Sequence, residues 1–128
     1  MGAIEDVAIA LLGSETADMQ NGAAKTAIYT VPEGHSCIIH HAEIYSPDGS
    51  LAGGLQYNIG SGVACNTWRQ NISCNLMVNT TDYMVVPSRA VPPQVYTLEI
   101  AGNEIGIIPV IGTFGPRNAV VAIFGRLI

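Results

Sequence analysis

Glycine and proline interrupt most of this chain so often that only short regular segments fit between them. The 128 residues include 14 glycines and 7 prolines. Beyond residue 25, no window keeps apolar residues at the i, i+3, i+4, i+7 spacing of a helix over three turns. Short alternating segments bounded by turn residues are instead typical of strands. We therefore expect an all-β fold.

The turn residues divide the chain into about eight or nine strands, which predict one antiparallel sandwich or barrel. In the clearest strand, Leu55-Gln-Tyr-Asn-Ile59, apolar side chains alternate with amides. Pro109 indicates an edge strand or a bulge, because proline donates no ladder hydrogen bond. We expect the sandwich at residues 25–128 and an N-terminal arm or first strand at 1–24. The predicted strands are Val7–Leu12 (or a helical turn), Thr26–Val31, Ser36–Tyr45, Leu55–Ile59, a short strand within 63–76, Asp82–Val86, Val95–Ile100, Ile105–Ile111 and Ala119–Leu127.

Charged residues are scarce, at 12% of the chain, which is about half the usual share. Ile105–Ile111 and Ala119–Leu127 are apolar on both sides, so one side must contact something other than the core. We therefore expect a subunit of an assembly, a homo-oligomer. The net charge of −5 disfavours direct nucleic-acid binding, which needs a positive field. The sequence contains no run of about 18 apolar residues, so it predicts no membrane-spanning helix.

The histidines concentrate in one predicted strand, Ser36–Tyr45, and the turn before it. In a regular strand His40 and His41 point to opposite faces and cannot hold the same metal. His35, Cys37 and His41 share a side, but further ligands are missing. We therefore expect no metal site.

The same alternation predicts an environment for each histidine of the pair. His40 belongs with Ile38, Ala42 and Ile44, as a partly buried, hydrogen-bonded side chain. His41 belongs with Glu43 and Tyr45 on the other face. The three cysteines, Cys37, Cys65 and Cys74, are irregularly spaced and predict buried free thiols rather than a disulfide framework.

No motif predicts catalysis or a cofactor. In Gly49-Ser-Leu-Ala-Gly53 the serine is misplaced for a nucleophile elbow, and no glycine-rich loop has the flanking residues of a phosphate site. Trp68 has three interpretations: a core plug at one end of the sandwich, an interface anchor with Arg69, or a sugar-stacking ring.

Four segments resemble small structural proteins of tailed bacteriophages. They are a strand, a Val-Pro-Glu-Gly turn and a second strand within Thr26–Ile39, then Leu51–Gly60, Thr81–Val85 and Val121–Leu127. The resemblance covers most of residues 25–128 and implies a β-sandwich or jelly-roll module. It offers no catalytic residues.

The resemblance implies a capsid decoration (cement) protein on the virion surface, made in the cytoplasm of the bacterial host. Its expected partners are the major capsid protein and further copies of itself, as a dimer or trimer, without a cofactor. The alternative is a glycan-binding module of a tail or fibre, which would need an exposed groove of aromatic and acidic residues. The expected contact residues are Trp68, Arg69, Pro92, Pro93, Phe114 and Arg117, together with the N-terminal arm.

Overall fold

Nine strands and no helix form in the part of the chain that the computed structural model describes, residues 9–88 and 98–128. Accordingly, these residues include no helix long and apolar enough to cross a membrane. The strands are β1 (Ala10–Asp18), β2 (Thr26–Thr30), β3 (Ser36–Tyr45), β4 (Gln56–Gly60), β5 (Arg69–Ser73), β6 (Tyr83–Pro87), β7 (Leu98–Ile100), β8 (Glu104–Ile111) and β9 (Asn118–Leu127).

The strands form two antiparallel sheets that pack as a sandwich. The five-stranded sheet has the order β1-β9-β3-β6, and β7 also pairs with β3. The four-stranded sheet has the order β2-β8-β4-β5. The first four strands alternate between the sheets, so consecutive strands cross over the core. The predicted all-β antiparallel sandwich is confirmed, and its nine strands agree with the expected eight or nine.

Strand boundaries follow the sequence pattern closely where one side is apolar. Predicted Ser36–Tyr45 and observed β3 have the same bounds. The first strand differs: Val7–Leu12 was expected, whereas β1 covers Ala10–Asp18. Its polar second half looks unlike a strand because β1 is an edge strand that exposes most of its side chains. Residues 7, 8 and 95–97 of the predicted strands lie outside the described residues.

Pro109 adjoins a bulge in an interior strand, in which Val110 is the extra residue. Strand β8 lies between β2 and β4, so the edge-strand interpretation is wrong. The register with β4 shifts from Gln56↔Ile111 to Tyr57↔Pro109, which confirms the bulge. Pairing with β2 stops at Thr26↔Ile107, so Pro109 lies beyond the last pair on that side.

The core lies between the sheets and is made mainly of aliphatic side chains. Tyr57 is fully buried in it, and its hydroxyl donates a hydrogen bond to the Met19 carbonyl oxygen at 2.9 Å. Arg69 donates to the Pro87 carbonyl and so joins β5 and β6, the edges of the two sheets. The largest buried aliphatic side chains are Met19, Ile39, Ile44, Leu51, Ile59, Met77, Ile105, Ile107 and Ile123.

Two isoleucines on β8 test this assignment of the core. Ile107→Ala should lower the free energy of unfolding by about 2–5 kcal/mol, because it removes buried methylenes and leaves a cavity. Ile111→Ala, on the same strand but about half exposed, should cost less than about 1 kcal/mol. Urea denaturation of both variants measures the difference. Equal losses would contradict the assignment.

Candidate functional site

A one-residue bulge interrupts β3 at His40. Opposite β9, the register runs through Ile39↔Gly125 and continues at His41↔Phe124, so His40 is the extra residue. Before the bulge Cys37 and Ile39 are buried, and after it Ala42 and Ile44 are buried. The alternation of side chains therefore shifts by one residue.

The bulge places His40 and His41 on the same side of the sheet. Their Nδ1 atoms lie 2.9 Å apart, and the two rings meet edge to face at 84°. The prediction that the two side chains point to opposite faces is wrong, because it assumed an uninterrupted strand. So is the placement of His40 among Ile38, Ala42 and Ile44 as a partly buried side chain, since His40 is exposed.

His41 is held by contacts on two sides of its ring. It stacks on Phe124 of β9, with centroids 4.6 Å apart and planes 5° from parallel. Its Nε2 atom lies 3.4 Å from Oε2 of Glu43, two residues along the strand. The predicted grouping of His41 with Glu43 is confirmed.

Two tyrosines extend this group across β3 and β6. The Tyr83 hydroxyl donates to Oε1 of Glu43, and the Tyr83 ring stacks on Tyr45 at a centroid distance of 5.2 Å. The hydrogen bond to Glu43 raises the pKa of Tyr83 to about 12. We call this group the outer-face cluster; its members are His40, His41, Glu43, Tyr45, Tyr83 and Phe124.

Exposed apolar side chains surround the outer-face cluster. Strand pairing places Val85 beside Glu43, Leu98 beside Ile38 and Leu11 beside Phe124. Tyr83, Val85, Leu98, Ile100 and Leu11 each expose about half of their surface. We call this side of the five-stranded sheet, with the cluster, the outer face. It is an exposed apolar surface of the kind that marks interaction sites.

The exterior of the other sheet is mixed at its centre. Gln56 and Asn58 of β4 point away from the core and alternate with buried Tyr57 and Ile59. On the neighbouring strand β8, Val110 and Ile111 are nearly half exposed. Amide side chains therefore interrupt the apolar surface of this sheet.

The expected contact residues lie at opposite ends of the sandwich. Trp68 and Arg69 adjoin the end of β4 at Gly60, where a Cβ would lie 2.8 Å from the Trp68 nitrogen. The Trp68 side chain is only 8% exposed and belongs to the core, as its core-plug interpretation predicts. Its role in an interface stays a prediction.

Phe114 and Arg117 lie in the β8–β9 connection at the other end. Phe114 is fully exposed. The Arg117 guanidinium covers Gly49, where a Cβ would be 2.2 Å from Nη1, and lies 3.8 Å from Asp48. The structure thus does not bring this pair together with Trp68 and Arg69. Pro92 and Pro93 lie outside the described residues.

A buried carboxylate, Glu99 of β7, is a feature that sequence reasoning missed. Its oxygens accept hydrogen bonds from Thr67 Oγ1 at 2.9 Å and Asn103 Nδ2 at 3.2 Å. In β7 the apolar Leu98 and Ile100 point outward while Glu99 points inward, which reverses the usual pattern. The bond from Thr67 ties β7 to the β4–β5 connection, and the bond from Asn103 ties it to the turn before β8.

A shallow groove beside Lys25 is the other candidate for ligand binding. It is lined by Lys25, Val63, Asn103 and Glu104, among others. The Lys25 ammonium already donates to the Gly62 and Glu104 carbonyl oxygens and lies 3.7 Å from the Glu104 carboxylate. These contacts occupy its donors, so the groove offers little to an anionic ligand.

The three cysteines are free and buried, as expected. Burial raises the pKa of Cys37 to about 11, assisted by Glu99, and that of Cys74 to about 12.

In the described part of the chain, no three His, Cys, Asp or Glu side chains converge in a way that could hold a metal ion. The chain matches no known protein-family model and no curated protein.

The raised thiol pKa values predict a loss of stability at alkaline pH. Below pH 9.0, the ordinary thiol value, these thiols are protonated in both the folded and the unfolded chain. Between pH 9.0 and about 11–12 the unfolded chain ionises first. The free energy of unfolding should then fall by up to about 1.4 kcal/mol per pH unit for each thiol.

Urea denaturation between pH 8 and 11 measures this slope. The variant Cys74→Ala removes one buried thiol and should show a shallower decline than the unsubstituted protein, whatever its stability at pH 8. Parallel declines for the two proteins would contradict the assignment to Cys74.

Proposed function

We propose that this chain is a structural virion protein, a decoration subunit that binds the outer surface of a bacteriophage capsid as a homodimer or homotrimer. The observation that carries the proposal is the apolar outer face of the five-stranded sheet. The resemblance of segments within residues 25–128 to phage structural proteins suggests the kind of partner, the major capsid protein.

The outer face has the composition of a contact surface. Burying a half-exposed Leu98 or Ile100 under a partner would remove apolar area from water, at about 25 cal/mol per Å². Only 12% of the residues are charged, so few charges are present to oppose association of this surface with another protein.

The strand order also supports the proposal. Strands β1, β9, β3 and β6 form one sheet and β2, β8, β4 and β5 the other. This is the strand order of a jelly roll, an architecture that occurs in viral capsid proteins and also in lectins. Fold alone does not select between such functions, so the outer face carries the argument.

The mechanism we propose requires no chemical step. A subunit that binds only the assembled shell stabilises that shell by mass action. Each bound copy would cover apolar surface on both partners and oppose outward pressure from packaged DNA.

The proposal is tested by mixing the purified protein with expanded, undecorated capsids of a phage that encodes it. We expect binding that saturates at a fixed copy number and raises the temperature at which the capsids disrupt. Capsids that bind none of the protein and keep their disruption temperature would refute it.

Two leucine substitutions test whether the outer face makes the contact. Leu98→Lys, on the outer face, should weaken capsid binding at least tenfold, because a lysine would have to be desolvated in an apolar interface. Leu76→Lys, at an exposed loop position, is the matched control and should bind normally. Co-sedimentation with capsids measures the binding of both variants. Equal binding by the two variants would exclude the outer face as the contact surface.

A glycan-binding module remains the second candidate, favoured by one observation. The stacked Tyr45 and Tyr83 rings lie beside Glu43 on the outer face, and sugars bind to such combinations of aromatic and acidic side chains. This candidate requires binding to cell-surface polysaccharide that Tyr83→Ala abolishes, without affinity for capsids. Capsid binding without polysaccharide binding would exclude it.

A further inference from the structure

We propose that His40 and His41 together bind a divalent transition-metal ion through their Nδ1 atoms. This site is independent of the proposed capsid function. It arises from the bulge in β3, which places adjacent histidines on the same side of the sheet rather than on opposite sides.

The distance between the two nitrogens fits shared coordination. Imidazole nitrogens bind such ions at about 2.0–2.1 Å, so two ligands at the right angle of a square-planar Cu²⁺ or Ni²⁺ site lie about 2.9 Å apart. The Nδ1 atoms of His40 and His41 are 2.9 Å apart. To bind an ion, the Nδ1 lone pairs must turn away from each other and towards the metal, and the exposed His40 ring has room to turn.

The surroundings of His41 are those of a metal-binding histidine. Such a residue usually directs its second ring nitrogen at a carboxylate, which fixes its tautomer and orientation. His41 Nε2 lies 3.4 Å from Glu43, which leaves Nδ1 to the metal. Stacking on Phe124 holds the plane of the ring, and the Tyr83 hydroxyl holds Glu43.

The two neutral imidazoles can bind the metal ion without a net release of protons. Without metal, a hydrogen bond between the two Nδ1 atoms requires that one imidazole carry its proton there. On binding, that imidazole shifts the proton to Nε2, and both Nδ1 lone pairs become ligands. No proton is lost, and no oxidant or reductant is needed.

The pair supplies two ligands, so the site is open. His40 is exposed, and water or a donor from a bound partner would complete the coordination. Two imidazoles suit Zn²⁺, Ni²⁺ and Cu²⁺, and Cu²⁺ binds most tightly in the usual order of affinities. Cu²⁺ alone is therefore the most sensitive probe.

The test is a Cu²⁺ titration of tag-free protein in a non-coordinating buffer, followed by calorimetry and electron paramagnetic resonance. We expect one ion per chain, with hyperfine structure from two imidazole nitrogens. His40→Ala and His41→Ala should each weaken binding at least tenfold. His35→Ala removes the remaining histidine of the chain, at the turn before β3, and should bind as the unsubstituted protein does.

Glu43→Gln provides a further test that keeps both ligands. Loss of a carboxylate behind a ligating histidine typically weakens metal binding 10–100-fold, whereas a purely structural Glu43 would leave it unchanged. His40 is exposed, so His40→Ala should fold normally, which circular dichroism verifies. Cu²⁺ binding that survives His40→Ala, or that is lost equally in His35→Ala, would overturn the site. Capsid binding is measured without metal, so either proposal can fail alone.

Discussion

The one-residue bulge in β3 determines which side chains of the central strand face the core and which face outward. Before it, Cys37 and Ile39 pack inward; after it, Ala42 and Ile44 do so. If β3 were a regular strand without the bulge, its second half would turn Glu43 and Tyr45 into the core. In the two halves of β3 the apolar side chains alternate in opposite phase. The bulge lets the apolar side chains of both halves face the core, and His40 is the extra residue on the outer face.

The strands next to β3 explain why the bulge fits there. Strand β9 lies between β1 and β3, and the pairing of β1 with β9 also shifts register, between Leu11 and Gly13. The two shifts lie on either side of Phe124 of β9, which precedes Gly125. A Cβ at Gly125 would lie 2.1 Å from the Ile38 carbonyl oxygen, so a glycine permits the close approach of β3.

Most of the fold could be predicted from sequence because turn residues and period-two alternation act locally. The bounds of β3 and the bulge at Pro109 follow from such local rules. The bulge at His40 does not, because Ile38, Ile39, Ala42 and Ile44 supply apolar residues in both phases and only pairing with β9 selects between them. Glu99 was missed for a similar reason: its partners Thr67 and Asn103 come from other segments. The apolar exteriors of the last two strands were visible in the sequence, whereas their assignment to different sheets, β8 to one and β9 to the other, was not.

Four polar side chains of the outer-face cluster, His40, His41, Glu43 and Tyr83, already contact one another, which makes the outer face compatible with burial under a partner. Covering an unpaired polar atom costs free energy that apolar contacts must offset. Here His40 and His41 face each other through Nδ1, His41 Nε2 lies near Glu43, and Glu43 accepts from Tyr83. A partner that covers the surrounding apolar side chains would need to satisfy few new groups, chiefly at the exposed ring of His40. The same arrangement that preorganises two imidazoles for a metal thus also lowers the desolvation cost of docking, so the two proposals place compatible demands on the outer face.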